Sequence, residues 1–202
     1  MLHLDPLAIQ NLPLSDRIHL INSITGIKPA NLIGTADQAG QTNLAVFSSV
    51  VHLGSSPALI GFVMRPVGDV PRHTYENILA TSHYTLNHIH PQIAHQAHQT
   101  SAKFAKHESE FDIMNLTPSF IANFHAPFVE ESNIKYGLRF VEAMPIKHNN
   151  TQLIIGEIQH ILLNHHPKTP DGGLDLEATE SVGISGLNSY YKLKRFATFE
   201  QP

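Results

Sequence analysis

The chain has 202 residues, of which 42% are hydrophobic and only 15% charged, and its formal net charge is −4. This composition excludes a charge-driven disordered chain, a coiled coil and a collagen-like repeat, and it lacks the broad basic surface of a nucleic-acid partner. The lack of cysteine excludes disulfides, zinc–thiolate and iron–sulfur centres and a cysteine nucleophile. No targeting or membrane-spanning pattern is visible, so we expect a single domain over residues 1–202 in the cytoplasm, with no membrane partner.

The first third of the chain predicts a short N-terminal helical arm followed by strands. Ser15, Asp16 and Arg17 can begin a helix that runs through Ile24. Strands are then predicted at residues 30–35, 42–53 and 58–64, with a turn at 37–40 between the first two. The second strand is rich in Val and Phe, and the third is apolar throughout, which is typical of strands that pack into a core.

The middle of the chain predicts helices, and the last part predicts a long hairpin. Thr74 is expected to be the N-cap of a helix at 75–81. The following elements are a strand at 83–90, helices at 91–103 and 108–116, and hairpin arms at 134–146 and 152–163, with a surface loop near 164–175. Short turns link most of these strands, and the alternation of strand and helix typical of a parallel sheet is missing. The pattern favours a mainly β antiparallel barrel of about six strands, with inserted α-helices.

Most groups that commonly carry chemistry form no known motif in this sequence. The 15 histidines include His88 and His90 on one predicted strand face, but no His-Glu-x-x-His helix occurs. We interpret the histidines as surface polar residues and predict no metal site. Glu108, Glu110 and Asp112 form an acidic cluster that we interpret as solvated surface. No nucleophile elbow, P-loop or dinucleotide fingerprint is present, and no catalytic residue is predicted.

One segment contains groups that suit an anion site, although on its own it favours a simpler interpretation, a capped helix with two exposed arginines. Arg65, Arg72, His73 and Thr74 converge at the start of the helix predicted at 75–81. The N-terminus of a helix offers unpaired N–H groups and a partial positive charge. Arginine adds a planar fork that binds two phosphate oxygens at once.

The order of several short motifs resembles the flavin reductase-like, FMN-binding split-barrel family. The motifs begin with Gly40, the run 43–45 (Asn-Leu-Ala) and the pair Ser48-Ser49. They continue with Arg65, the helix start 72–78, Ser109-Glu110-Phe111, Gly156-Glu157-Ile158 and the segment 186–191 that ends in Tyr190-Tyr191. The resemblance runs from about residue 24 to residue 199, almost the whole chain.

The resemblance implies a six-stranded antiparallel split barrel of Greek-key type that binds FMN, usually at a homodimer interface. It implies that the isoalloxazine ring is lined by Asn43, Ala45, Phe47, Ser48 and Ser49. The phosphate and ribityl chain would be held by Arg65, Arg72, His73 and Thr74, with Asn77 nearby. For Tyr190 and Tyr191 packing is expected, although they could also cover the flavin or lie between subunits.

The function expected from these observations is that of an FMN-dependent oxidoreductase that takes hydride from NADH or NADPH and passes electrons to an acceptor that the sequence does not identify. The chemistry would belong to the cofactor, and the protein would supply orientation and electrostatics. Two alternatives stay open. One is an FMN-binding electron carrier or flavin store without turnover, and the other is a histidine-rich metal-binding barrel.

Overall fold

The computed structural model describes residues 1–68, 72–164, 168–169 and 171–200. Its helices are α1 (Pro6–Asn11), α2 (Leu14–Ser23), α3 (His73–Thr81), α4 (Ala94–Gln99) and α5 (Glu110–Ile113). Its strands are β1 (Lys28–Pro29), β2 (Asn31–Ala36), β3 (Thr42–Phe47), β4 (Val51–Ser55), β5 (Ala58–Met64), β6 (His83–His88), β7 (Pro118–Ser119), β8 (Phe128–Val129), β9 (Ile134–Ile146), β10 (Thr151–Leu163), β11 (Val182–Ser185) and β12 (Ser189–Lys192). None of the helices in these ranges is long and apolar enough to cross a bilayer.

Seven strands form one antiparallel sheet in the order β3-β2-β6-β9-β10-β5-β4. The hairpins β2–β3, β4–β5 and β9–β10 pair sequence neighbours. The connection from β5 to β6 passes over β9 and β10 and contains α3, which gives the sheet its Greek-key character. The mainly β antiparallel fold with inserted helices is therefore confirmed.

The sheet closes into a barrel because its two edge strands are consecutive in the sequence. Seven strands spaced about 4.8 Å apart would place the edges of a flat sheet about 29 Å apart. Only residues 48–50 separate the end of β3 from the start of β4, and four peptide steps span at most about 14 Å. The sheet must curl until β3 and β4 approach each other. We call this junction, residues 47–51, the seam.

Two apolar clusters fill the two faces of the curled sheet. Inside the barrel, Phe62 packs edge-on against Phe47 and Tyr84, with ring centroids 5.1 and 5.6 Å apart. The Tyr84 hydroxyl lies so close to Gly156 that a Cβ at that position would overlap it, so glycine is required there. Outside the barrel, the alternate residues of β2 and β3 pack against α4, α5 and β11 through Leu32, Leu44, Ile93, Phe111 and Ile184. The inserted helices therefore cover the outer face of β2 and β3.

Several predicted elements differ from the structure at particular residues. The predicted strand 42–53 is two strands, β3 and β4, which accounts for seven strands in the main sheet instead of six. Thr74 is not an N-cap: helix α3 begins after Arg72, without a side-chain cap. The predicted helices 91–103 and 108–116 shorten to α4 and α5, and the arm contains α1 in addition to α2. Of the predicted loop near 164–175, residues 165–167 and 170 lie outside the described residues.

Acidification is expected to lower the free energy of unfolding through His88. Burial lowers the pKa of His88 from 6.5 to about 4, and its Nδ1 lies 3.0 Å from the Ser181 hydroxyl. Between these two pKa values the unfolded chain binds a proton that the folded chain does not, so stability present at pH 7 is lost as the pH falls. Urea denaturation at pH 7 and pH 5 should show a loss of up to about 2 kcal/mol from this group.

The matched variants are His88→Asn and His52→Asn, since His52 is an exposed histidine on β4. His88→Asn should remove most of this pH dependence, and His52→Asn should leave it intact. An identical pH dependence in wild type and His88→Asn would contradict the assignment.

Candidate functional site

A cleft of about 860 Å³ opens beside the seam. Its walls come from the end of β3, the end of β5, the first turn of α3 and the loop at residues 100–106, with Glu110 and Leu187 beside them. Nine of the ten residues singled out in the sequence line this cleft: Asn43, Ala45, Phe47, Ser48, Ser49, Arg65, Arg72, His73 and Thr74. Residues far apart in the chain are thus brought to one place by the closure of the barrel.

The tenth residue, Asn77, lies behind the cleft wall. Its side chain is buried, and its Nδ2 donates to Thr35 Oγ1 over 3.1 Å. Asn43 Nδ2 donates to the same oxygen over 3.4 Å and to Thr74 Oγ1 over 3.0 Å. This polar network (Thr35, Asn43, Thr74 and Asn77) fastens the first turns of α3 to β2 and β3. Asn77 therefore supports the site without lining it.

The network leaves two polar groups for a ligand in the cleft. A threonine hydroxyl accepts up to two hydrogen bonds and donates one. Thr74 accepts from Asn43, and no residue in the described ranges accepts its hydroxyl proton. The amide oxygen of Asn43 likewise receives no hydrogen bond from the described residues, because Asn43 bonds to Thr35 and Thr74 through its Nδ2. One donor and one acceptor are therefore held in position at the cleft wall.

The side chains of Ser49 and Phe47 serve the barrel itself. Ser49 Oγ accepts from the Val63 backbone N–H and donates to the Val63 carbonyl, each over 3.1 Å, which ties the seam to β5. The Phe47 ring packs against Phe62 in the barrel interior. Both residues line the cleft, and their side chains also make these contacts within the barrel.

The free edge of β3 borders the cleft. Among the residues that the structure describes, β3 pairs only with β2, so alternate residues direct their backbone N–H and C=O groups away from the sheet. The Leu44 N–H is one of these groups, and it donates to Glu110 Oε2 over 2.8 Å. The alternation directs the Val46 backbone outward in the same way. The edge strand therefore offers main-chain groups to a planar ligand in the cleft.

The cationic part of the site surrounds the start of α3. Arg72 immediately precedes the helix, and its Nε donates to the Pro66 carbonyl over 3.3 Å. Arg65 and His73 line the same cleft, and no side chain of the described residues caps the first turn. Two guanidinium groups thus meet the positive end of a helix dipole, which matches the predicted anion site. Residues 69–71 of the segment used for that prediction lie outside the described residues.

Glu110 corrects the interpretation of the acidic cluster. Glu108 and Asp112 are exposed, but Glu110 is only 6% exposed and lines the cleft. Burial raises the pKa of the Glu110 carboxyl, and the nearby charge of Glu108 adds to the rise, while the hydrogen bond from Leu44 opposes it. Sequence patterns do not reveal this residue because only the tertiary packing of α5 against β3 removes it from water. Its place in the Ser109-Glu110-Phe111 motif is the one signal that points to it.

Of the described histidines only His73 lines the cleft, and neither Tyr190 nor Tyr191 lines it. The described residues contain no group of three or more His, Cys, Asp or Glu side chains arranged to hold a metal ion. Tyr190 packs edge-on against His98 of α4 with centroids 5.8 Å apart, and its hydroxyl lies 3.3 Å from His98 Nδ1. Tyr190 therefore fastens β12 to α4, in keeping with the expected packing role.

Comparisons with known proteins agree with this geometry. A family model described as the flavin reductase like domain matches residues 27–176, a range that contains the whole seven-stranded sheet and α3. A split-barrel protein of Shewanella frigidimarina NCIMB 400, assigned to the flavin reductases, has a TM-score of 0.95 at 44% identity, over 100% of both chains. The chain belongs to the flavin reductase-like family.

More distant structures share the fold. Nitrilotriacetate monooxygenase component B from Bacillus cereus has a TM-score of 0.84 at 20% identity, over 100% of this chain and 98% of that one. Flavoredoxin of Desulfovibrio vulgaris (Miyazaki F) has a TM-score of 0.73 at 21% identity, over 86% and 90% of the two chains. The split barrel is thus retained where most of the sequence has changed.

Proposed function

We propose that the protein binds FMN in the cleft beside the seam and acts as an oxidoreductase that reduces the flavin with NADH or NADPH. The proposal rests on one observation: the free edge of β3 and the positively charged start of α3 line the same cleft. Family membership supports flavin as the ligand. The volume of about 860 Å³ lies within the range of about 300–1,000 Å³ usual for small-molecule sites.

The chemical groups of the cleft fit FMN part by part. Arg65, Arg72 and the uncapped start of α3 match the phosphate, which carries up to two negative charges. The Thr74 hydroxyl and the Asn43 amide match the polar ribityl chain. The outward backbone of β3, with Ala45 and Ser48 beside it, matches the edge of the isoalloxazine ring.

The chain's own contribution is binding and orientation. When bound, FMN supplies the redox chemistry by accepting a hydride equivalent from the reduced nicotinamide. Arg65 and Arg72 anchor the phosphate end, and the polar network holds Thr74 at a fixed place beside it. Residues 100–106 and Leu187 form the remaining wall of the cleft, where the nicotinamide would lie beside the ring. Correct orientation of two reactants can lower a barrier by about 7–11 kcal/mol without an acid or base.

A specific observation also favours a homodimer. The distal half of β9 extends beyond β6, its neighbour on that side, and exposes Val141, Met144 and Ile146, which are 49%, 46% and 36% exposed. The edge strand β4 also exposes Val51 and Leu53. We propose that two copies of the chain cover these side chains by two-fold association.

FMN is expected to bind more tightly than riboflavin. Hydrogen bonds to a charged group contribute about 1.5–3 kcal/mol each. Riboflavin has no phosphate, so its binding should be weaker by about tenfold to hundredfold for each arginine that would otherwise bind the phosphate. Fluorescence titration of the purified protein with both flavins measures the difference. Equal dissociation constants would refute the phosphate site.

Variants locate that phosphate site. Arg72→Ala and Arg65→Ala should each weaken FMN binding and leave riboflavin binding nearly unchanged. Arg139→Ala is the matched control, because Arg139 pairs with Glu157 on the hairpin and does not line the cleft. A similar decrease of FMN affinity in Arg139→Ala would show that net charge, not the cleft, determines binding.

Anaerobic stopped-flow experiments should show bleaching of the flavin band by NADH or NADPH. His73 lines the cleft, and an obligatory general acid or base would contribute about 10²–10⁴-fold to the rate. We expect His73→Gln to lower the reduction rate by less than about tenfold at saturating FMN. The reason is that the orientation of nicotinamide and flavin, and not proton transfer by a side chain, accelerates the reaction. A flavin band left unbleached by both nicotinamides would favour an electron carrier or flavin store over an enzyme.

Light scattering should report about twice the chain mass of 22.4 kDa. Val141→Asp should shift the protein toward the monomer, since a charge cannot be buried in the proposed interface without a partner. Phe120→Asp is the control, because Phe120 is 55% exposed in the connection between β7 and β8. A wild-type mass near 22 kDa in dilute solution would contradict the homodimer.

A further inference from the structure

Glu110 occupies a position that neither binding of the phosphate nor packing of the core requires. It lies in the first turn of α5, behind the free edge of β3, and its side chain is nearly inaccessible to solvent. Its carboxylate nevertheless forms part of the cleft wall. A neutral acceptor such as glutamine could satisfy the Leu44 N–H, so the negative charge is the part of this side chain that the fold does not need.

The hydrogen bond to Leu44 fixes the distance between this carboxylate and the proposed ring site. Glu110 Oε2 lies 2.8 Å from the Leu44 backbone nitrogen. The next outward-facing N–H on β3 belongs to Val46, two residues and about 7 Å further along the strand. A ring that contacts the β3 edge at Val46 therefore lies within about 7–10 Å of the Glu110 charge, at a partly buried site where screening by water is incomplete.

The effect of the Glu110 charge on a bound ring also depends on the other charged groups nearby. Strand β3 carries no titratable side chain, and on the side of α5 the neighbouring acids are Glu108 and the exposed Asp112. The charged or titratable groups that line the rest of the cleft are Arg65, Arg72, His73, Glu76, Lys103 and Lys106. Lys106 is paired with Glu76 over 3.2 Å, and the arginines are the proposed partners of the phosphate.

We propose that the Glu110 carboxylate makes the cleft discriminate between the redox states of FMN, binding the oxidised ring more tightly than the reduced ring. The inference rests on the proposed FMN site and deepens it. Addition of two electrons and one proton leaves one negative charge on the reduced ring, and a second proton neutralises it. A fixed carboxylate nearby repels the anionic ring and leaves the neutral oxidised ring almost unaffected.

The physical consequence is a flavin that gives up electrons more readily. Weaker binding of the reduced form lowers the midpoint potential of the bound flavin, because affinity and potential are linked in one thermodynamic cycle. A tenfold change in the ratio of the two dissociation constants corresponds to about 30 mV for a two-electron couple. The discrimination should weaken in acid as Glu110 takes up a proton, at a pH above the ordinary range of a glutamate because burial raises its pKa.

The test is a potentiometric titration of FMN-loaded wild type and Glu110→Gln at pH 8.5 and pH 5. Glutamine keeps a side-chain oxygen that can accept from Leu44 N–H and removes the charge. At pH 8.5 we expect Glu110→Gln to bind reduced FMN about tenfold more tightly relative to oxidised FMN, which raises the midpoint potential by about 30 mV. Its dissociation constant for oxidised FMN should stay within about threefold of wild type, and the difference in potential should shrink at pH 5.

Two further variants separate this role from a structural one. Asp112→Asn removes a charge from the same helix at an exposed position, and its potential should match that of wild type. Glu110→Ala removes both the charge and the hydrogen bond with Leu44, so it should weaken binding of both redox forms and still raise the potential. Equal potentials of wild type and Glu110→Gln at pH 8.5 would overturn the inference.

A different experimental result would refute the proposed function itself. Wild-type protein that produces no change in the FMN spectrum on titration, and no quenching of its fluorescence, would overturn the FMN site and this inference together. FMN binding with a potential insensitive to Glu110→Gln would overturn the inference alone.

Discussion

The fold and the site both depend on the short connection between β3 and β4. Because residues 48–50 join the two edges of a seven-stranded sheet, the sheet has to curl until those edges approach each other. The edges do not pair along their length, and Ser49 bridges to Val63 with its side chain instead. The incomplete closure leaves the outward backbone groups of β3 available beside a cleft. A fully paired barrel of the same strands would have no such edge.

The second source of binding groups, the start of α3, is held in place by buried polar side chains. Thr35 Oγ1 accepts hydrogen bonds from both Asn43 and Asn77, and Asn43 also donates to Thr74. These contacts connect β2, β3 and α3, so the orientation of the helix is fixed relative to the strand edge. Buried networks of this kind restrict the geometry, because a shift would leave the amide donors of Asn43 and Asn77 without a partner. The distance between the two parts of the cleft is therefore set by the fold before a ligand binds.

Local sequence patterns predict the strands whose boundaries are set by neighbouring residues. The boundaries 134–146 and 58–64 agree with β9 and β5, because apolar runs and turn residues define them within a few residues. The division of 42–53 into two strands could not be predicted from local sequence, because it depends on the tertiary fold. β3 and β4 lie at opposite edges of the sheet. The interpretation of Glu110 was wrong for the same reason: its spacing from Glu108 and Asp112 is that of a solvated surface, and only packing against β3 buries it. The family resemblance supplied all ten candidate residues, and the helix start also pointed to four of them (Arg65, Arg72, His73 and Thr74). The structure shows that nine of the ten line one cleft.

The cleft is bordered by backbone groups that depend on the fold and not on particular side chains. The outward N–H groups of an edge strand and the first-turn N–H groups of a helix are present whatever the side chains are. What the sequence has to preserve is the closure of the barrel and the placement of α3, and a structure 20% identical to this chain keeps the fold with a TM-score of 0.84. The side chains around these backbone groups then determine the local charge. Arg65 and Arg72 add positive charge at the helix start, and Glu110 adds negative charge at the strand edge, so the two ends of the cleft carry opposite charges.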